Sequence, residues 1–351
     1  MGRIASIEFD KIKKPLKITF STAMGEKKYL QSLILRVTLD TKHNGIGECP
    51  TSRSYPEGSL TSMEHFLKGI IPFFLGRDIR EYPSLVEKLK KENPAYVLTL
   101  SGIEVALFRA YLSYYGLSEF YFWGGKSKTI ETDITVPNVE RTRALEWATF
   151  FLRKKFRFFK IKLKGFLDED IEFLSGVYET LKRRTTEDFW IGLDMNGSYT
   201  VRNFFSFTEK LRNLKIPVQF VEQPLKRGDY AGLRQILGKS DLEIILDESV
   251  ITLEDLDRLG EIGFKGGVNV KIAKSGISES KKIHDRAKKH GLKLMIGCMT
   301  ETSVGLSAGI YFALGHGDFD YVDLDGIHFI KGREKINSVK ISGPRYVLGN
   351  S

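Results

Sequence analysis

Histidine, cysteine and long apolar runs are all scarce in this chain, with six His and two Cys among 351 residues. Cys49 and Cys298 lie far apart and outside any paired spacing, which excludes a disulfide framework and a thiolate zinc site. They read as reduced core or loop thiols. No apolar run approaches the roughly 18 residues of a membrane span, so no membrane partner is expected. The opening MGRIASIEFDKIKK lacks the apolar core of a signal peptide, and a cytoplasmic location is expected. Basic residues outnumber acidic ones, 54 to 44, for a net charge of +10. They are interleaved with acids, as in KLKKEN and KKIHDRAKKHG, a pattern of solvated ion pairs and not a basic stripe. No nucleic-acid partner is expected.

The remaining composition, 42% hydrophobic and 28% charged, is that of a soluble enzyme. The length suits a barrel plus one accessory domain. Residues 1 to about 50 predict an antiparallel meander. ASIEFDKI and LKITF read as separate strands with Pro15 near their turn, and QSLILRVTLD as a third strand; FSTAMGEKKY and CPTSRSYPEGS read as loops. From Thr61 to about Gly116 apolar residues recur three and four apart, which predicts helices and an α+β unit. Strand-like and helix-like segments alternate from Lys128 onward, giving eight strands with seven helices between them. The predicted class is α/β, with domains at 1–126, 127–330 and a tail, 331–351, that returns to the first domain.

Short apolar runs in the alternating region end in charged groups. FKIKLKG carries Lys160, Lys162 and Lys164, FWIGLDMNG Asp194, PVQFVEQP Glu222, LEIILDES Asp247 and Glu248, and GVNVKIAKSG Lys271. In a parallel barrel the C-terminal strand ends meet on one face, where active sites are built. Three carboxylates on successive strands repel unless a cation lies between them. With no His or Cys nearby, an all-oxygen set favours a hard ion such as Mg²⁺. Asp194, Glu222 and Asp247 are therefore the candidate metal ligands, with Asn196 and Gln223 as hydrogen-bonding groups behind them.

Lys160 and Lys162 alternate on one strand and point to one side. A positive neighbour lowers an amine's proton affinity, which predicts that Lys160 modulates Lys162 as a base. Lys271 ends the sixth strand, roughly opposite the second. Two amines flanking a substrate carbon can remove a proton from one face and return it to the other. Lys164 and Lys274 read as solvated or phasing positions. Asp323 and Asp325 in YVDLDG alternate on the last strand and face the same site.

Together, KIKLKG, LDMN, VEQP, LDES and NVKIAKSG closely resemble the enolase superfamily, in its muconate-lactonising-enzyme subgroup. The resemblance spans essentially the whole chain. It implies a modified TIM barrel, (β/α)₇β, with an N-terminal α+β capping domain completed by the C-terminal tail. It implies Mg²⁺ on Asp194, Glu222 and Asp247, Lys162 and Lys271 as the acid/base pair, Lys160 as the modulating lysine, and a homo-oligomer. The Asp-x-Asp of Asp323 and Asp325 resembles that of dipeptide epimerases, where it binds the substrate's free ammonium. Thr135, Met299 and Glu301 match pocket-lining positions. Members acting on Ala-Glu dipeptides carry TALR in the first-domain loop; here Thr22, Ala23, Met24 and Gly25 stand instead, without the arginine. The expected activity is thus an isomerase's, epimerisation of a dipeptide at its C-terminal residue. Alternatives are o-succinylbenzoate synthase, N-succinylamino acid racemase, cycloisomerase and a barrel that binds without turnover.

Overall fold

The computed structural model describes residues 2–23 and 25–349, so Met24 lies outside the described residues. Three antiparallel strands open the chain, β1 (Ile4–Thr22), β2 (Gly25–Leu39) and β3 (Asn44–Pro50), in that order across the sheet. Two sequence expectations are corrected here. Pro15 sits inside one long strand, and most of FSTAMGEKKY is paired strand: the register runs to Pro15↔Tyr29 and resumes from Phe20↔Lys27 to Thr22↔Gly25. Proline has no N–H to give the ladder, so it interrupts the pairing without reversing the chain. The residues after it bulge toward the C-terminal segment, where Leu16 bridges Ile330 and Lys331 N donates to Pro15 O at 2.9 Å.

Helices Leu60–Phe74, Tyr82–Glu92 and Val97–Tyr115 follow the sheet. The third lies directly on β3: a Cβ at Gly45 would come 2.1 Å from Ala106 O, and one at Gly47 2.1 Å from Gly102 O. Only glycine permits that approach.

After a short strand β4 (Thr129–Glu131), eight parallel strands make the barrel. They are β5 (Ile134–Val136), β6 (Phe158–Lys162), β7 (Trp190–Asp194), β8 (Phe220–Glu222), β9 (Glu243–Leu246), β10 (Gly267–Val270), β11 (Lys293–Gly297) and β12 (Tyr321–Asp323). Each successive pair is joined through a helix, from Arg141–Arg153 to Ser303–His316. The ring closes between its ends through Asp133 N on Val322 O at 2.9 Å and Leu324 N on Thr132 Oγ1 at 2.8 Å. A (β/α)₇β barrel is thus observed.

Alternation along the strands places two kinds of layer inside. Phe220, Ile245 and Met295 form a small apolar cluster of their own, joined by Phe158 and Tyr321. Two residues further along those strands come Lys160, Glu222, Asp247 and Asp323, so an apolar floor supports a charged layer at the barrel mouth.

The tail divides. Glu334 pairs with Lys14 of β1 at 2.5 Å. Beyond it β13 (Val339–Ser342) and β14 (Arg345–Leu348) form a hairpin on β4, not on the capping sheet. Charge-assisted bonds join cap to barrel: Glu48 accepts from Thr302 N at 3.0 Å and Gly305 N at 2.9 Å, and Arg109 donates to Val304 O at 3.0 Å and Ser307 Oγ at 2.8 Å. No helix among the described residues is long and apolar enough to cross a membrane.

If the floor carries the charged layer, Phe220→Ala destabilises the fold by about 3–5 kcal/mol. A lowered urea midpoint checks this, and a midpoint equal to the parent's contradicts it.

Candidate active site

Four lysines meet the strand-end acids in water-poor surroundings. Lys160 is 1% exposed; its Nζ donates to Asp323 Oδ2 and, at 3.1 Å, to Glu222 Oε2, and lies 3.8 Å from Asp194 Oδ2. Lys162 Nζ donates to Asp194 Oδ2 at 2.5 Å. Lys271 Nζ reaches Asp247 Oδ2 at 2.6 Å, and Lys274 Nζ reaches Asp247 Oδ1 at 2.6 Å. The strand order sets Lys162, on β6, and Lys271, directly after β10, four strands apart in a ring of eight. They therefore stand on opposite sides of the mouth.

Burial pulls the Lys160 and Lys271 ammonium groups down, but the facing carboxylates outweigh it and hold both well above the ordinary lysine range. For Lys160 those are Asp323, Glu222, Asp194 and Asp133; for Lys271, chiefly Asp247 and Glu222. The sequence reading of Lys160 as a bare positive neighbour of Lys162 is corrected accordingly, because carboxylates surround it. Lys274 is corrected too. It is 1% exposed, held on Asp247 one helical turn beyond Lys271, and burial lowers its proton affinity.

Two glutamates carry the opposite strain. Burial and then Asp194 push the Glu222 carboxyl up, and burial followed by Asp247 and Asp194 pushes Glu248 up to about 7. Glu248 Oε2 and Asn196 Oδ1 are buried with no hydrogen-bond partner. Gln223 Oε1 accepts from Asp247 N and Ser249 N, both at 3.1 Å, fixing the strand end that presents Asp247. Among the described residues, Asp194, Glu222 and Asp247 do not form a set whose oxygens all lie within 4.8 Å of one another. Each is turned to a lysine. Crowded carboxyls, two orphaned oxygens and an all-oxygen donor set fit a hard divalent cation.

Across the mouth, Asp133, Asp323 and Asp325 bring carboxylate oxygens within 4.8 Å of one another. Asp325 Oδ2 accepts from Thr135 N at 2.6 Å, and burial followed by Asp323 pushes its carboxyl up to about 6. Burial and Asp323 also push Asp133 up, and its Oδ1 has no partner. Lys160 is the amine that faces this group.

The cavity is roofed by the cap. Phe20, Gly25, Lys27, Arg53 and Tyr55 line it together with the barrel residues Thr135, Lys162, Lys271, Met299, Asp323 and Asp325. Gly25, at φ +121°, leaves room for the Arg53 guanidinium, whose Nη1 would lie 2.6 Å from a Cβ there. Burial, then Arg53, pulls the Lys27 amine down to about 8. Glu301 differs from expectation: it is not among the cavity-lining residues, and its Oε1 turns back to accept Met299 N at 2.8 Å. Sequence reading assigned no role to Asp133, Glu248 and Tyr55. The signal for the first two was present, since Asp133 stands two residues before Thr135 and Glu248 follows Asp247 in LDES.

A capped parallel barrel with buried acids and amines at its strand ends is an acid–base enzyme scaffold. The Enolase C-terminal domain-like family matches residues 143–345, and the chain belongs to that family, within the muconate-lactonising branch of the enolase superfamily. Its relatives include an aromatic dipeptide epimerase of Herpetosiphon aurantiacus, 28% identical over 93% of this chain and 91% of that protein. An L-Ala-D/L-Glu epimerase of Thermotoga maritima is 30% identical over 98% of both. A solved dipeptide epimerase of Methylococcus capsulatus, complexed with Mg and the dipeptide L-Arg-D-Lys, superposes with a TM-score of 0.86 at 25% identity, over 99% of this chain and 97% of that one.

Burial and the neighbouring Glu48 push Glu301 up from 4.5 to about 8. Between those values the folded chain holds a proton that the unfolded chain has lost, so this group's contribution to stability falls as pH rises through the window. Glu301→Gln is expected to flatten that fall. Unfolding midpoints measured across the window check it, and parallel curves for parent and variant contradict it.

Proposed function

We propose that this chain is a Mg²⁺-dependent dipeptide epimerase that inverts the α-carbon of the C-terminal residue. The observation that carries the reading is the placement of Lys162 and Lys271 on opposite sides of one mouth, between the strand-end acids and the Asp323–Asp325 pair. Asp194, Glu222 and Asp247 would hold the cation, with Glu248 and Asn196 beside them. When bound, the ion supplies charge stabilisation to a substrate carboxylate whose α-proton is leaving. Lys162 Nζ and Lys271 Nζ move that proton, each taking it in one direction of reaction and returning it in the other. The carboxylates on Lys271 keep it an ammonium, the state of the proton donor. Phe20 and the cap exclude water above them.

Asp133, Asp323 and Asp325 face the single amine of Lys160, which leaves negative charge for the substrate's free ammonium. Met299 and Thr135 complete the walls. In the cap, Lys27 and Arg53 border the cavity, and no ion pair with a carboxylate is seen for either among the described residues. Two such cations favour an acidic side chain on the substrate, in place of the arginine absent from the Thr22–Gly25 turn. The reading also carries the division into a capping domain (1–126), a barrel (127–330) and a tail (331–351) that touches the cap through Glu334, a homo-oligomer, and a cytoplasmic location.

The test is mass gain and stereochemistry of an L,L-dipeptide library in D₂O with Mg²⁺. Deuterium is expected at the C-terminal α-carbon, most rapidly with acidic side chains, and no uptake into any dipeptide overturns the proposal. Asp323→Asn is expected to raise KM for free-amine dipeptides roughly ten- to a hundredfold, the worth of a charged hydrogen bond. Turnover of N-succinylamino acids that outpaces the dipeptides and is left nearly intact by Asp323→Asn would favour the racemase reading. Arg53→Met is expected to erase the acidic preference while sparing the rest of the library.

A further inference from the structure

A second polar cluster lies on the opposite side of the barrel from the cavity, near the start of β12. It joins the helix Ile272–Lys289 to the helix Ser303–His316 and the turn after it. His284 is 2% exposed, and its two ring nitrogens both face carboxylates: Nδ1 lies 3.1 Å from Asp285 Oδ1, and Nε2 lies 2.9 Å from Asp318 Oδ1. A neutral imidazole has one N–H, so it can donate to only one of them and sets a lone pair against the other. A cation at the ring would satisfy both contacts at once.

The neighbouring ring bears on that cation. His316 lies 4.1 Å from His284 between ring centroids, and its Nε2 is buried with no hydrogen-bond partner. Ligand atoms of His284, His316 and Asp318 all lie within 4.8 Å of one another. With its hydrogen on Nδ1, His316 offers that Nε2 lone pair to an ion. A proton on His284 would leave that lone pair unused. A shared cation uses both rings.

The carboxylates are already oriented for this. Lys288 holds Asp318 Oδ2 and Lys281 holds Asp285 Oδ2, leaving the Oδ1 atoms turned to His284. Asp285 on the Nδ1–H of His284 is the arrangement in which a carboxylate fixes the tautomer of a metal-bound imidazole. Two imidazoles and one carboxylate suit borderline divalent ions, unlike the all-oxygen set in the barrel.

We propose that His284, His316 and Asp318 form a binding site for a transition-metal ion of the Zn²⁺, Co²⁺ or Ni²⁺ class, distinct from the barrel cavity, with Asp285 positioning His284. An ion there would tie the last two barrel helices together at the end of the barrel away from catalysis.

The experiment titrates Co²⁺ into the full chain already saturated with Mg²⁺, followed by ligand-field absorption and calorimetry. One further equivalent of Co²⁺ is expected, not displaced by added Mg²⁺. His316→Gln should weaken it at least about tenfold, and Asp285→Asn, which touches no ion, about ten- to a hundredfold. Dipeptide epimerisation by His316→Gln in Mg²⁺ alone should equal the parent's. In the unaltered protein, Zn²⁺ should shift the side-chain ¹⁵N resonances of His284 and His316 and of no other histidine, a readout that needs no variant to fold. Co²⁺ that binds only in competition with Mg²⁺, an affinity unchanged in His316→Gln, or unmoved His284 and His316 resonances would each overturn the site. In that event the pair is aromatic packing against Phe312 and Phe319.

Discussion

Everything at the barrel mouth depends on how the buried ammonium of Lys160 is balanced. It touches Asp323 on one side and Glu222 on the other, with Asp194 at 3.8 Å, so it links the metal-ligand candidates to the ammonium-binding candidates. Burying a charge costs several kcal/mol unless partners compensate. The compensation here is incomplete by design of the layer: seven carboxyl groups (Asp133, Asp194, Glu222, Asp247, Glu248, Asp323 and Asp325) meet four amines (Lys160, Lys162, Lys271 and Lys274). The surplus is negative. A divalent cation and a substrate ammonium are the charges that the proposed function brings to it.

The rest of the architecture keeps that layer dry and in place. The aromatic cluster around Phe220 closes the barrel beneath it, and the cap closes it above through Phe20 and Tyr55. Glu48 and Arg109 bolt cap to barrel with bonds to the chain at Thr302 and Val304, next to the loop that carries Met299. Recognition is thereby divided between two bodies. In the proposed reading the barrel supplies the acid–base pair, and the cap supplies Lys27 and Arg53 for the choice of side chain.

Much of this was legible in the sequence because both periods were clean. Eight short strands alternated with helices, and charged residues stood at the ends of apolar runs, so convergence followed from the barrel. What escaped did so for physical reasons. The bend in β1 was read as a turn because Pro15 breaks the ladder, yet its partner strand continues past it. Lys274 was read as solvated, but a helix begins directly after Lys271, and one turn brings the second amine back to Asp247. Glu301 was read as a wall residue; the chain folds its carboxyl back onto Met299 N. Tyr55 lies in a loop rich in proline and glycine, where no period reports which side chain points inward. Basic residues were visible along the whole chain, but that Lys27 and Arg53 reach the cavity was not.

The central claim is that Lys162 and Lys271 address opposite faces of one carbon. It is tested most directly by following loss of α-deuterium to water from each epimer of a single labelled dipeptide, in Lys162→Ala and in Lys271→Ala. The account predicts that each variant loses exchange from one epimer while keeping it from the other, and that the two variants are complementary. Equal residual exchange from both epimers in either variant, or loss from the same epimer in both, would contradict it.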